Sequence, residues 1–275
     1  MTPAEALAKQ GFYPLPGAFS AVAGDAAKEI KQELASGPEF NGVVGVGDAF
    51  NRMSTVRDFL FHDTVRQSYA KVFSDTPVFL QASDIHNGFV QGNWHRDCAN
   101  KGLNKGLDWD EKEFIYRNYK LMIYLECDDY SFCVKPRTNH RKLKDEKDGV
   151  DNYFTVSVED AAKTDFDKVE QPVQFIPQPG DAVMFDLRTT HRGQGLNSEQ
   201  FSKRASNKLT LSYVFADRNP HAHRFHSYRT MLKQGYRPIA EQHQQKLAQE
   251  GLWWDKLNQN YFDTHQDEME FVVLK

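Results

Sequence analysis

Gly88-Phe89-Val90-Gln91-Gly92-Asn93-Trp94-His95-Arg96-Asp97 is the stretch on which the fold turns. β-compatible residues lead into a His-x-Asp pair, and on an extended chain residues i and i+2 point to one side, so both side chains face a common partner. Alone, the pair is weak. With ten histidines and abundant aspartate, such a match arises by chance in roughly half of comparable chains. His265-Gln266-Asp267 has the same form in a polar tail, with no histidine downstream to complete a set.

A second histidine separates the first pair from this decoy. In Pro179-Gly180-Asp181-Ala182-Val183-Met184-Phe185-Asp186-Leu187-Arg188-Thr189-Thr190-His191-Arg192-Gly193, a Pro-Gly turn launches a short apolar strand that is expected to end at His191. A histidine, a carboxylate two residues on and a distant histidine make the facial triad that holds non-haem Fe(II) and leaves coordination positions open. His95, Asp97 and His191 are the candidate metal ligands and catalytic residues.

The next strand is Arg204-Ala205-Ser206-Asn207-Lys208-Leu209-Thr210-Leu211-Ser212-Tyr213-Val214-Phe215. Period two puts Arg204, Ser206, Lys208, Thr210 and Ser212 on one face. A polar face inside a barrel is costly unless it binds something polar. A dicarboxylic cosubstrate would be such a partner, clamped by guanidinium and a serine hydroxyl. Arg204 and Ser206 are the expected pair, because only guanidinium offers a two-pronged fork. Lys208 on the same face competes for the carboxylate.

At this point the chain resembles the phytanoyl-CoA dioxygenase-like branch of the Fe(II)/2-oxoglutarate-dependent oxygenases. The resemblance rests on Gln10-Gly11-Phe12-Tyr13-Pro14-Leu15-Pro16-Gly17, on Trp94-His95-Arg96-Asp97, on Leu121-Met122-Ile123-Tyr124-Leu125 running into Asp128-Asp129, on Gly180-Asp181 through His191-Arg192-Gly193, and on the basic start of the last strand. It spans about residues 8 to 216. Tyr130-Ser131-Phe132 and Pro136-Arg137-Thr138-Asn139-His140 depart from the Gly-rich turn and Pro-Gly-Ser-His loop usual in the family, and Arg204 lies further beyond His191 than the family's arginine.

The resemblance implies Fe(II), 2-oxoglutarate as cosubstrate, dioxygen and ascorbate as a supporting reductant. It implies hydroxylation of an unactivated carbon, with release of succinate and carbon dioxide. The far carboxylate of 2-oxoglutarate would meet Arg204 and Ser206. Related halogenases carry Gly or Ala in place of the carboxylate, so Asp97 argues against halogenation. Ring closure, desaturation and epimerisation stay open. Lys101, Lys105, Arg117, Lys120 and Arg137 suggest a small anionic or polar substrate, and Lys120 joins the candidate cofactor-binding residues. The alternatives are a cupin-like metal-binding protein without oxygen chemistry and a non-catalytic module built on a degenerate oxygenase.

Composition agrees with an enzyme domain. The 275 residues are 40% hydrophobic and 13% aromatic, enough for one large core. Net charge is −4 and the pI about 6.2, so no general basic field attracts nucleic acid. No apolar run approaches the ~20 residues needed to cross a bilayer. Met1-Thr2-Pro3-Ala4-Glu5 lacks the basic-then-apolar order of a secretory signal. Cys98, Cys127 and Cys133 are odd in number and show no disulfide or zinc spacing, which fits a reducing cytoplasm.

The expected architecture is mainly β: a double-stranded β-helix (a cupin-like jelly roll) flanked by N- and C-terminal α-helices. One catalytic domain spans 1–275, with a helical N-terminal portion over 1–70, the β core over about 75–230 and a helical extension over 231–275. Ala21, Val22, Ala26, Ile30 and Leu34 recur at helical spacing until Gly37-Pro38 stops them. Strands are expected at Pro77–Ala82, Gly88–His95, Lys120–Leu125, Ser131–Lys135, Val173–Ile176, Ala182–Asp186 and Leu209–Phe215. Cys98–Asn118 and Thr138–Thr164 read as long inserts, the first a binding loop because it leaves directly from Asp97, the second a solvated charged stretch. An amphipathic helix over Ile239–Leu257, bearing Trp253 and Trp254, caps the core or serves a homodimer. His221, His223 and His226 read as part of a polar connection rather than a second metal site.

Overall fold

A computed structural model describes residues 1–40, 42–88, 92–99, 106–111, 113–128, 130–140, 152–195, 207–232 and 236–271. Its elements run α1 (Pro3–Gln10), β1 (Phe12–Leu15), α2 (Ala23–Ser36), β2 (Gly45–Gly47), α3 (Ala49–Arg52), α4 (Ser54–Phe59), α5 (Asp63–Ala70), β3 (Val78–Asn87), β4 (Asn118–Cys127) and β5 (Tyr130–Val134). They continue with β6 (Phe154–Ser157), α6 (Val158–Ala161), β7 (Val173–Ile176), β8 (Ala182–Asp186), β9 (His191–Gly195), β10 (Lys208–Ala216), α7 (Pro220–Ser227) and α8 (Glu241–Gln249). Residues Tyr228–Leu232 extend α7 as a π-helix.

The strands form two sheets, ordered β1-β8-β4-β10-β3-β2 and β6-β7-β5-β9. All pairings are antiparallel except β6 with β7. The core is a jelly roll flanked by helices, as its sequence pattern predicts. On β10, alternation sends Leu209, Leu211 and Tyr213 outward, where they join Phe79, Ile30 and Val56 in the core between the large sheet and the helices. A second core between the sheets contains Phe12, Tyr124, Phe132, Phe175 and Phe185.

Helix α2 buries Ala23, Ala26, Ala27, Ile30 and Leu34, the spacing its sequence predicts. The N-terminal portion is not all helical. A capping box at Thr2 starts α1, Gly11 ends it at a left-handed φ of 87°, and the chain turns directly into β1. Strands β1 and β2 thus supply both edges of the large sheet. The C-terminal helix is shorter than expected: α8 stops at Gln249, before Gly251 at φ 72°. Leu247, Leu252, Trp253 and Leu257 are buried in this chain's own core.

Around Cys98–Asn118, Asp108, Tyr116 and Asn118 pack inward, while the described residues between Asp110 and Ile115 are exposed. Asp108, 1% exposed, accepts from His221 at 3.2 Å and Arg224 at 3.1 Å. Trp109 lies 4.7 Å from the Arg96 guanidinium. Removing Asp108 leaves buried Arg224 with Glu268, at 3.0 Å, as its one acidic partner among the described residues and takes the carboxylate from His221. Asp108→Ala should therefore cost about 3–5 kcal/mol of stability in chemical denaturation.

Candidate metal centre

The loop Leu187–Thr190 is the frame on which the site is built. Gly11 O accepts from Asp186 N and from Thr189 Oγ1, both at 2.9 Å. Arg96, 1% exposed, donates from Nε to Thr190 Oγ1 at 2.9 Å and from its guanidinium to Thr138 O at 3.1 Å. Thr138 Oγ1 in turn accepts from Thr190 N at 2.9 Å. These bonds leave His191 at the first position of β9. The apolar strand β8 ends five residues earlier, so the expectation that it runs to the histidine gives way to a strand, a tight loop and a second strand.

His95 and Asp97 do not sit on a regular strand either. Among the described residues, His95 is an isolated β-bridge to His191. The two backbones exchange hydrogen bonds of 3.0 and 2.9 Å, and Asp97 N donates to Leu187 O at 2.9 Å. The loop that holds one histidine therefore also docks the His-x-Asp segment. Gly92 N to Gly193 O extends the same pairing at 3.3 Å.

The side chains converge accordingly. His95 Nε2 lies 3.8 Å from Asp97 Oδ1, and His191 Nε2 lies 3.6 Å from Asp97 Oδ2. One donor atom from each residue falls within 4.8 Å of the others, a spacing that could hold a metal ion. Each imidazole is oriented by its other nitrogen: Nδ1–H of His95 donates to Asn93 O at 2.7 Å, and Nδ1–H of His191 to Thr189 O at 2.9 Å. Both Nε2 lone pairs are thereby left for a ligand. Burial, followed by the neighbouring His95, lowers the His191 pKa to about 3, so its imidazole is neutral.

Asp97 belongs to a charge chain. Lys120 on β4 lies 3.1 Å from Asp97 Oδ2 and 3.3 Å from Asp84 Oδ2 on β3. Tyr236 Oη donates to Asp84 Oδ1 at 3.2 Å, and Arg229 in turn donates to Tyr236 Oη. Burial alone would raise both carboxyls. Lys120 is the foremost influence outweighing it, and it holds Asp97 well below the usual carboxylate range. Lys120 itself is pushed up because Asp97 and Asp84 outweigh its burial.

The inner face of the large sheet also carries Lys208, Thr210 and Ser212, each no more than 5% exposed. The Lys208 ammonium makes no ion pair or hydrogen bond among the described residues. Its Nζ lies 3.9 Å from the Tyr130 ring, and burial brings its pKa down to about 7. Across the β10–β4 ladder, Thr210 is opposite Tyr124, whose buried hydroxyl has no partner among the described groups. Tyr130 Oη stands 2.9 Å from where a Cβ on Gly193 would be, two residues beyond His191. Arg204 and Ser206 lie outside the described residues, as do Lys101 and Lys105.

The other cations expected to attract an anionic substrate are committed to the protein. Arg137 holds Phe166 O and Val169 O at 2.8 Å each, and Arg117 pairs with Asp217 at 3.5 Å. His221, His223 and His226 lie on α7: the first pairs with Asp108, the second faces Gln259 O at 2.8 Å. A cleft of about 670 Å³ near Leu34, Phe40, Val43 and Gly88 contains none of the three converging donors. Asp84, His86, Tyr124 and Tyr130 were not singled out in the sequence. Asp84 and His86 alternate with Ile85 as the polar residues of β10 do, a signal lost when that strand is ended at Ala82.

No family model matches the chain, and no curated protein is similar to it. Solved structures do share its fold. HygX from Streptomyces hygroscopicus, with nickel and 2-oxoglutarate bound, is 14% identical with a TM-score of 0.54, covering 78% of this chain and 86% of its own. The non-heme alpha ketoglutarate dependent epimerase SnoN is 15% identical with a TM-score of 0.52, covering 87% and 92%. The carbocyclase SnoK, also alpha ketoglutarate dependent, is 14% identical with a TM-score of 0.52, covering 78% and 83%. At these identities the likeness establishes a common fold.

Lys120→Met removes the cation shared by Asp97 and Asp84 and leaves two buried carboxylates facing each other. The variant should melt at lower temperature than the parent without metal, and cobalt(II) should recover more of that loss than it adds to the parent. Equal shifts in both proteins would reduce Lys120 to a packing role.

Proposed function

We propose that this chain is a non-haem Fe(II)- and 2-oxoglutarate-dependent dioxygenase that hydroxylates an unactivated carbon of a small polar molecule. The observation that carries the reading is the convergence of His95 Nε2, His191 Nε2 and the Asp97 carboxylate at one point. Two imidazoles and one carboxylate on one side of a metal leave positions open for a chelating cosubstrate and dioxygen. The fold shared with HygX, solved with nickel and 2-oxoglutarate, and with SnoN, solved with Fe3+ and alpha ketoglutarate, supports it.

The inner face also fits the cosubstrate's far end. Lys208 and the Tyr124 hydroxyl are buried polar groups without partners among the described residues, and Thr210 stands between them. A carboxylate would satisfy both. We assign Lys208 as the anchor for the distal carboxylate, with Arg204 the rival. Phe185 and Phe132, whose rings lie 4.5 and 5.7 Å from the His191 ring, keep water from that ligand. Lys120 orients Asp97 by holding Oδ2. Bound at this site, iron and 2-oxoglutarate would supply oxidative decarboxylation to succinate and the hydrogen abstraction that precedes hydroxylation. Ring closure or epimerisation would use the same residues and differ in substrate placement.

Anaerobic protein given Fe(II) and 2-oxoglutarate, with ascorbate as reductant, should show the weak visible metal-to-ligand charge-transfer band of the chelate, and Asp97→Ala should lose it. Iron bound without a band would favour a metal-binding protein lacking oxygen chemistry.

The anchor has a pH signature. Free Lys208 is protonated below about pH 7, so above that pH a bound carboxylate must draw a proton onto it. 2-Oxoglutarate affinity, followed by the same band, should fall by up to about tenfold per pH unit above neutrality. Lys208→Arg, charged throughout, should remove the slope. A flat profile in the parent with loss of binding in Arg204→Ala would transfer the role to Arg204.

A further inference from the structure

A cavity of about 170 Å³ separates the C-terminal segment from β3 and α7. Pro238, Ile239, Trp253 and Leu257 make its apolar wall, and none of its lining residues is Asp, Glu, Lys or Arg. His226 lines it too. Its side chain is buried, 4% exposed, and neither ring nitrogen has a hydrogen-bond partner among the described groups. Three of the other polar residues on the wall are engaged: Gln81 Nε2 donates to Arg237 O and to Asp48 Oδ1, Thr230 Oγ1 to His226 O, and Gln244 Nε2 to Ile239 O. Asn258, the remaining one, is exposed to solvent.

Burial, followed by His223, brings the His226 pKa down to about 3, so the imidazole is neutral and offers one donor and one acceptor. The Trp253 ring stands edge-on to it, with centroids 6.2 Å apart. Engineered apolar cavities of about 150 Å³ take up benzene. This one is similar in size and adds a buried imidazole with both ring nitrogens free of partners among the described groups.

We propose that the cavity is a second small-molecule site, taking a neutral, single-ring compound with one hydroxyl, a phenol or cyclic alcohol. The ring packs on Trp253, Ile239 and Leu257, and the hydroxyl pairs with His226. A charged ligand is disfavoured because the wall holds no counter-charge. The site is separate from the converging donors at His95, Asp97 and His191 and does not rest on the oxygenase reading.

The test is a titration of metal-free protein, labelled with 15N in its histidine rings, with phenol and separately with toluene. Phenol should shift the ring nitrogens of His226 saturably, and toluene, lacking the hydroxyl, should bind about tenfold more weakly. His226→Phe, which keeps a ring in place, identifies the His226 signals and should bind the two compounds alike. His226 signals unmoved by millimolar phenol, or equal binding of phenol and toluene by the parent, would overturn the proposal. The phenol-toluene comparison needs only the parent protein, so poor folding of the variant would not blunt it.

Discussion

The reciprocal backbone pair between His95 and His191 is the constraint on which the rest depends. Two hydrogen bonds of about 3 Å fix the two histidines opposite each other, and the Asp97 amide on Leu187 O sets the carboxylate beside them. Nothing local to His-x-Asp achieves this. The Leu187–Thr190 loop is held by Gly11, Thr138 and Arg96, residues drawn from three separate parts of the chain. The N-terminal turn is part of the candidate metal site in this sense: a Cβ on Gly11 would meet Thr189 Oγ1 at 2.3 Å. A side chain there would displace the loop that carries His191.

What was legible in the sequence follows from short-range periodicity. The two-residue period of Lys208, Thr210 and Ser212 specifies a polar inner face, and the helical spacing through Ile30 and Leu34 specifies the buried side of α2. Both are decided by the chain's own geometry. What was hidden depends on distant partners. Within the expected strand over Gly88–His95, the described residues next to the ligand pair through a bridge at His95, fixed by a loop some hundred residues away. Lys120 is legible in the sequence as a candidate cofactor-binding residue, but only the β3–β10–β4 order brings Asp84 within its reach. Trp253 and Trp254 suggested a longer helix because the apolar residues flanking Gly251 happen to keep helical spacing.

The inner face is balanced in charge at one end and not at the other. Around the donors, Asp97 and Asp84 are matched by Lys120 and Arg229, with Tyr236 bridging the second pair. A divalent metal would add two positive charges to a neutral set, and the near carboxylate of a dicarboxylate would offset one of them. At the far end Lys208 is buried against the Tyr130 ring with no acid pairing it among the described residues, and burial lowers its pKa. Burying an unpaired ammonium opposes folding. Two residues on, Thr210 faces Tyr124, whose buried hydroxyl has no partner among the described groups, and an anion there would offset the cost. Metal and dicarboxylate together would pair Lys208 and leave a single positive charge at the donors, and neither would do so alone.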